Sequence, residues 1–271
     1  MRSVGRLVVM AALWSAASAG AARPPEVEGA APGTTVRVCY NDQLGPPDGG
    51  HFSLQLMRAV VAATPSHRFE LRALPWMRCL ILASRGDVDA ILGASFTPER
   101  ALDLVYPRDA RGQPDEARRL FAQGYRLLRR QGDALDTDGQ RFMNLVGPIG
   151  VERGHSSASF ARGAGADTDD NHPDVLAMLA KLRSGRLGGV LVAEPQYASL
   201  RRQPGALDGL EATPSVLQPR GYYLVFSSAF ARREPILVEQ LWNEAARQRD
   251  TPRIRRETAL QQGANTEGPS P

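Results

Sequence analysis

The sequence predicts an α/β fold with parallel strands, and two observations carry this. Between residues 36 and 92, short apolar runs alternate with amphipathic stretches in the order strand, helix, strand, helix, strand, as right-handed βαβ units do. A similar pattern recurs downstream. LILASRGDVDAIL (80–92) and LAKLRSGRLGGVL (179–191) share a helix end, then Gly86 or Gly185, then a short apolar strand. This echo points to two similar halves.

Taken in order, residues 36–40 (VRVCY) read as a β-branched strand. Residues 41–50 form a loop punctuated by Pro46, Pro47, Gly49 and Gly50. Residues 51–63 carry Phe52, Leu56, Ala59, Val60 and Ala63 on one helical stripe. A second strand covers 69–74. Pro75 opens a helix over 76–84 that Gly86 ends. A third strand covers 90–92. The polar stretch 107–116, with Gly112 and Pro114, breaks the pattern. Beyond it come strands at 125–128 and 148–151, a turn at 154–157 and a helix over 173–184. A strand at 189–192 and a helix at 195–200 follow, then a strand at 222–226 and an amphipathic helix over 234–249 using Ile236, Leu237, Leu241 and Trp242. Residues 261–271 are polar and read as a flexible tail.

Residues 1–19 read as a secretory signal peptide. Arg2 and Arg6 precede an apolar run over 7–17, and Ala17-Ser18-Ala19 offers small residues at the cleavage position. The run is too short for a comfortable bilayer span; an uncleaved anchor is the alternative. Residues 20–34, rich in Pro, Ala and Gly, form an N-terminal tail. These features place the mature chain in the periplasm. The 271-residue chain has a formal charge of +4, and of its 33 basic residues only Lys181 is a lysine. Loss of Arg2 and Arg6 leaves 31 bases against 29 acids, scattered without a long basic run. Nucleic acid is therefore excluded as a partner. The two cysteines, Cys39 and Cys79, allow one disulfide in an oxidising compartment; two buried free thiols are the alternative. Their spacing suits neither a zinc site nor a redox Cys-x-x-Cys pair. No metal or cofactor motif is present: there is no P-loop, no His-Glu-x-x-His and no nucleophile elbow.

Several segments, in order, resemble the type 2 periplasmic solute-binding proteins of family 3, the amino-acid-type receptors of ABC importers. They are the strand at 36–40 with its Pro-Pro loop, LPWMRCL (74–80), GDVDAI (86–91), GASFTPER (93–100) with Tyr106-Pro107, GPIGVERGHSS (147–157) and GRLGGVLVAE (185–194). The resemblance covers most of residues 35–250. It implies two α/β lobes, each a mostly parallel sheet with flanking helices. Lobe 1 comprises 35–110 plus 222–260, and lobe 2 comprises 111–221. Two hinge segments cross near 106–125 and 217–226, and ligand sits in the cleft between the lobes. It further implies a monomer that binds a small-molecule ligand and meets an ABC permease at the inner membrane.

The resemblance assigns Arg100 to the ligand's carboxylate, for which a planar guanidinium gives a charge-assisted grip. A surface arginine paired with Glu99 or Asp103 is the plainer reading. Gly93, Ser95 and Thr97 precede it on the loop after the third strand; Thr97, directly before Pro98, also reads as an N-cap. Asn41 and Asp42 end the first strand. Trp76 starts a helix at the same edge and either stacks on ligand or joins the core. His155 and Ser156 open a helix whose free amides suit an anion. In amino-acid receptors of this family an acid of the second lobe takes the α-ammonium. Ala193 aligns there, and Glu194 enters the cleft only with a one-residue slip. Asp48 stands where the family often has an aromatic. These departures leave room for a small carboxylate other than an ordinary α-amino acid. Solute capture without catalysis is the leading expectation. A secreted enzyme on the same fold, resembling cyclohexadienyl dehydratases and using Glu194 or His155, and a sensor module for a membrane receptor are the alternatives.

Overall fold

The computed structural model describes residues 33–266 apart from 173 and 216. The expected signal peptide and most of the N-terminal tail lie outside the described residues. The first strand, β1 (Thr35–Asn41), shows why this is a doubly covered sheet. Val36, Val38 and Tyr40 are buried in one core while Cys39 is buried in another on the opposite face. Burial on both sides is what helices on both faces of a parallel sheet require.

The remaining elements follow in chain order. They are α1 (Phe52–Ala62), β2 (Arg68–Leu74), α2 (Trp76–Arg85), β3 (Ala90–Ser95), β4 (Leu104–Val105), β5 (Phe121–Arg130), β6 (Asp136–Thr137) and β7 (Phe142–Met143). Then come β8 (Ile149–Gly150), α3 (Ser156–Gly163), β9 (Thr168–Asp169), α4 (Val175–Arg183), β10 (Gly189–Ala193), α5 (Glu194–Arg201) and β11 (Leu210–Ala212). The chain closes with β12 (Leu217–Ser227), α6 (Ser228–Arg233), α7 (Pro235–Arg249) and α8 (Pro252–Thr266). The main sheet runs β2-β1-β3-β12-β5-β10-β8-β9. At one end β1 pairs in parallel with β2 and β3. At the other end β10, β8 and β9 pair in parallel. Between them β12 and β5 run antiparallel to their neighbours and to each other.

Two cores flank each half of the sheet. Those of the first half draw on residues 36–106, Leu120 and residues 223–254. Those of the second half draw on residues 125–217. This is a two-lobed α/β architecture joined by β5 and β12. Cys39 and Cys79 are bonded, with a Cα separation of 5.6 Å, so the one available pairing forms and fastens β1 to α2.

Three expectations need correction. The strands at 125–128 and 222–226 extend to Phe121–Arg130 and Leu217–Ser227. Their added residues mix Phe121, Ala122 and Leu217 with Gln123, Gly124, Arg129, Arg130, Pro219, Arg220 and Gly221, so no alternation marks them, and pairing with β11 and with each other keeps them extended. Residues 261–266, expected in a flexible tail, continue α8, where Gln261, Gln262 and Ala264 are good helix formers. The third strand runs on to Ser95, which carries it to the cleft.

Candidate functional site

The carboxyl ends of β1 and β3 and the N-termini of α2 and α3 converge where the lobes meet, the place in open α/β sheets where ligands sit. A cavity of about 380 Å³ lies there, at the small end of ligand sites. Lobe 1 contributes Asn41, Trp76, Gly93, Ser95 and Arg100; lobe 2 contributes Glu152, His155, Ser156 and Gln196; β5 and β12 contribute Gln123, Tyr125 and Tyr222.

Arg100 follows a short turn that Thr97 caps, its backbone N–H donating to Thr97 Oγ1 at 3.2 Å. Its guanidinium then reaches back. Nη1 donates to Ser95 O at 2.7 Å and to Ser95 Oγ at 3.2 Å, and Nη2 donates to Gly154 O at 2.7 Å. Its Cζ lies 5.1 Å from the Trp76 ring centroid, a cation–π stack. Trp76 Nε1 donates to the same Gly154 carbonyl at 2.9 Å. One carbonyl of lobe 2 thus receives two donors from lobe 1. Ser95 Oγ donates to Ser156 Oγ at 2.7 Å, and Ser156 Oγ also pairs with Tyr125 OH at 2.8 Å. Tyr125 OH meets Tyr222 OH at 3.2 Å. Burial raises the Tyr222 phenol well above its ordinary value, as does its neighbour Tyr125, so the Tyr222 hydroxyl stays protonated and can donate or accept. Tyr106 OH donates to Ser95 O at 2.9 Å and is pushed up to about 12 by burial.

At Gly154 the two lobes are in tight contact. The residue has φ +73°, and a Cβ there would collide with Met77 of α2. A positive φ and no room for a side chain both require glycine. His155 Nδ1 lies 3.4 Å from Glu152 Oε2. Burial lowers the His155 pKa; Glu152 opposes the shift and the Arg100 charge adds to it. His51 caps α1, with Nδ1 2.7 Å from Ser53 Oγ, and burial lowers its pKa too. The charged groups on the wall are therefore Arg100 from lobe 1 and Glu152 from lobe 2, among neutral donors and acceptors. Among the described residues no group of three or more His, Cys, Asp or Glu is arranged to hold a metal ion.

Of the residues singled out in the sequence, Asn41, Trp76, Gly93, Ser95, Arg100, His155 and Ser156 line this cavity. Asn41 also caps the short turn after β1, its side chain accepting from Gln43 N at 3.2 Å. Gly93, at φ +82°, lets the Phe121 ring approach to 3.6 Å of where a Cβ would sit. Thr97 is buried as a cap, off the cavity wall. Asp42 faces an adjoining groove. Glu194 does not enter the cavity: its Oε2 accepts from Gly124 N at 3.1 Å and its Oε1 lies 3.9 Å from Arg126. Ala193 lines the wall instead, so the alternation of β10 turns the next side chain towards β5. The carboxylate on the cavity wall is Glu152, one residue beyond the strand predicted at 148–151; its place at a strand's carboxyl end was a usable signal. His51, Gln123, Tyr125, Gln196 and Tyr222 carry no motif in the sequence.

No protein-family model and no curated protein matches this sequence. Solved structures do. A histidine kinase sensor domain described as similar to periplasmic binding proteins superposes with TM-score 0.63 at 17% identity, over 84% of this chain and 96% of that one. An ancestral arginine-binding protein bound to glutamine gives 0.61 at 16%, over 84% and 98%. The amino acid ABC transporter substrate-binding protein AbpA from Streptococcus pneumoniae, bound to L-arginine, gives 0.60 at 16%, over 86% and 97%. The chain has the two-lobed fold of the periplasmic binding proteins.

Proposed function

We propose that the chain captures a small polar, carboxylate-bearing solute between its lobes outside the cytoplasm and hands it to an ABC-type importer. The observation that carries the reading is the cavity of about 380 Å³ with Arg100 on one lobe's wall and Glu152 on the other's. Opposite charges on facing walls suit a zwitterionic, amino-acid-like solute. Arg100 Nη2 is held by a neutral carbonyl. A carboxylate is the stronger acceptor for a guanidinium, so it competes well for Nη2. Ser95, Ser156 and the paired tyrosines supply neutral hydrogen bonds around it. The disulfide supports an oxidising compartment.

A thermal-shift screen over amino acids, dicarboxylates, sugars and polyamines identifies the solute, because a ligand of the folded state raises Tm by mass action. Calorimetry on Arg100→Ala then tests the anchor. Losing one partner of a desolvated charge pair costs about 2 kcal/mol or more, roughly a 30-fold loss of affinity. Unchanged affinity rejects the role of Arg100, and a screen without any hit rejects solute capture. A secreted enzyme is the second reading, favoured by the His155–Glu152 pair on the cavity wall, a plausible base with its orienting acid. Turnover of the bound solute by the purified protein separates the two.

A further inference from the structure

A second and larger groove, of about 770 Å³, adjoins the cavity described above through Phe121, Gln123 and Pro195. Its size is that of a ligand site. Its walls come from both lobes, because α8 packs on α1 and α7 of lobe 1 and also on α5 of lobe 2. Lobe 1 brings Arg119, Arg249 and Arg255, and lobe 2 brings Arg126 and Arg201. Against these five guanidinium groups the wall carries two carboxylates, Glu194 and Asp250.

The arginines are not equally committed. Asp250 is taken up by Arg249, whose Nε and Nη2 reach it at 3.0 and 2.8 Å, and Arg255 stands 3.6 Å from its other side. Arg119 pairs with Glu116 at 3.0 Å. On the lobe 2 wall the neutralisation is poorer. Glu194 Oε2 accepts from Gly124 N, and its Oε1 is 3.9 Å from Arg126 Nε. Arg201 has no carboxylate within ion-pairing distance among the described residues; its Cζ lies 5.9 Å from the Tyr197 ring centroid. Arg126 Cζ lies at the same 5.9 Å from that ring. One tyrosine thus gathers two guanidinium groups, from β5 and from α5. The ring attracts each cation but cancels neither charge, and like charges held together repel. A cleft lined by one sign of charge concentrates counter-ions. The fork of guanidinium N–H groups fits an oxyanion, and two poorly neutralised cations beside Arg255 suit one with more than a single charge.

We propose that this groove binds a small polyvalent oxyanion, of the phosphate or polycarboxylate type, held by Arg126 and Arg201 of lobe 2 and by Arg255 of lobe 1. The site is separate from the cavity beside Arg100 and does not depend on what that cavity takes.

Calorimetry of the purified chain at constant ionic strength uses pyrophosphate and citrate as probes and acetate as the monovalent control. One polyvalent anion is expected to bind per chain, with acetate weaker by about tenfold or more. Arg126→Gln and Arg201→Gln each weaken binding by roughly fivefold or more. Glu194→Gln keeps an oxygen for the Gly124 amide and removes a negative charge from the wall, so it tightens binding by about twofold or more. Arg111→Gln, at a loop arginine with a 90% exposed side chain, leaves it unchanged. Binding unaltered by both Arg126→Gln and Arg201→Gln overturns the site. An equal loss in Arg111→Gln reduces it to diffuse surface charge, and loss in Arg100→Ala moves the anion to the neighbouring cavity; either result overturns it. So does a failure of both probes to bind.

Discussion

Replacing Gly154 by alanine is expected to push the lobes apart. The new Cβ would lie well under 3.0 Å from Met77 Sδ, against a comfortable contact near 3.5–4.0 Å. Where the Met77 thioether is held in place by its packing, the loop and α2 separate by on the order of 1 Å. Gly154 O now accepts from Trp76 Nε1 at 2.9 Å and from Arg100 Nη2 at 2.7 Å. Adding that retreat puts both contacts near ~3.8 Å, outside hydrogen-bonding range. The neutral bond contributes about 1 kcal/mol and the charged one about 1.5–3. Together they shift the closed-to-open ratio by roughly two orders of magnitude or more. Alanine at positive φ costs about 1 kcal/mol besides, but that strain falls on the loop in both states. Small-angle scattering reads the change as a larger radius of gyration, and Trp76 emission shifts to the red as the ring leaves its interlobe contact. Adding Met77→Ala removes the clashing atom and is expected to restore closure. Identical scattering and emission in Gly154→Ala and the parent chain would refute the reasoning. Failure of the Met77→Ala rescue would rule out the contact with Met77 as the cause of the opening.

Two further outcomes follow from the core of lobe 1. The Cys39–Cys79 bridge spans 40 residues, so chain entropy gives it about 4 kcal/mol; the chain refolded in reductant should melt ~10 °C below the oxidised form, and calorimetric melts within 2 °C of each other would contradict this. Asp89 is almost fully buried and accepts from Arg37 N at 2.8 Å, Arg37 Nε at 2.9 Å and Arg37 Nη2 at 2.9 Å. Burial alone would raise its pKa, but these bonds and the charges of Arg37 and Arg233 bring it below the usual value. A carboxyl depressed in the folded state stabilises above its unfolded pKa and loses that contribution as pH falls through the folded one. Asp89→Asn is expected to cost about 3 kcal/mol at pH 7, the low end for a broken buried pair because Arg37 is partly in water, and much less near pH 2. A denaturant-derived deficit that stays constant from pH 7 to pH 2 would rule out the ion pair as its source.

The βαβα part of lobe 1 was legible because its signals are local. Alternating burial of Val36, Val38 and Tyr40, Pro75 ahead of α2, and Gly86 at φ +78° behind it each follow from neighbouring residues. The crossing strands were only half legible. Pro219 interrupts β12, and the register between β12 and β5 shifts between Leu217 and Arg220, so no strand period marks that stretch. The cavity was legible where a motif brought it, at Ser95 and Arg100. It was hidden where separate segments supply single polar residues, as with His51, Gln123 and Tyr222. Glu194 shows the limit from the other side: its type suited a ligand acid, but one position of alternation sent it to the Gly124 amide. That Arg100 binds a carbonyl of the opposite lobe depends on the closed arrangement, which no local pattern encodes.

The two crossing strands pair with each other, Tyr222 beside Phe121, Gly221 beside Ala122 and Arg220 beside Gln123. They are therefore not independent tethers. A ladder of that kind resists one strand sliding along the other and bends most easily across its flat face. Any opening of the halves is therefore expected to bend across this one ladder, like the covers of a book about a shared spine.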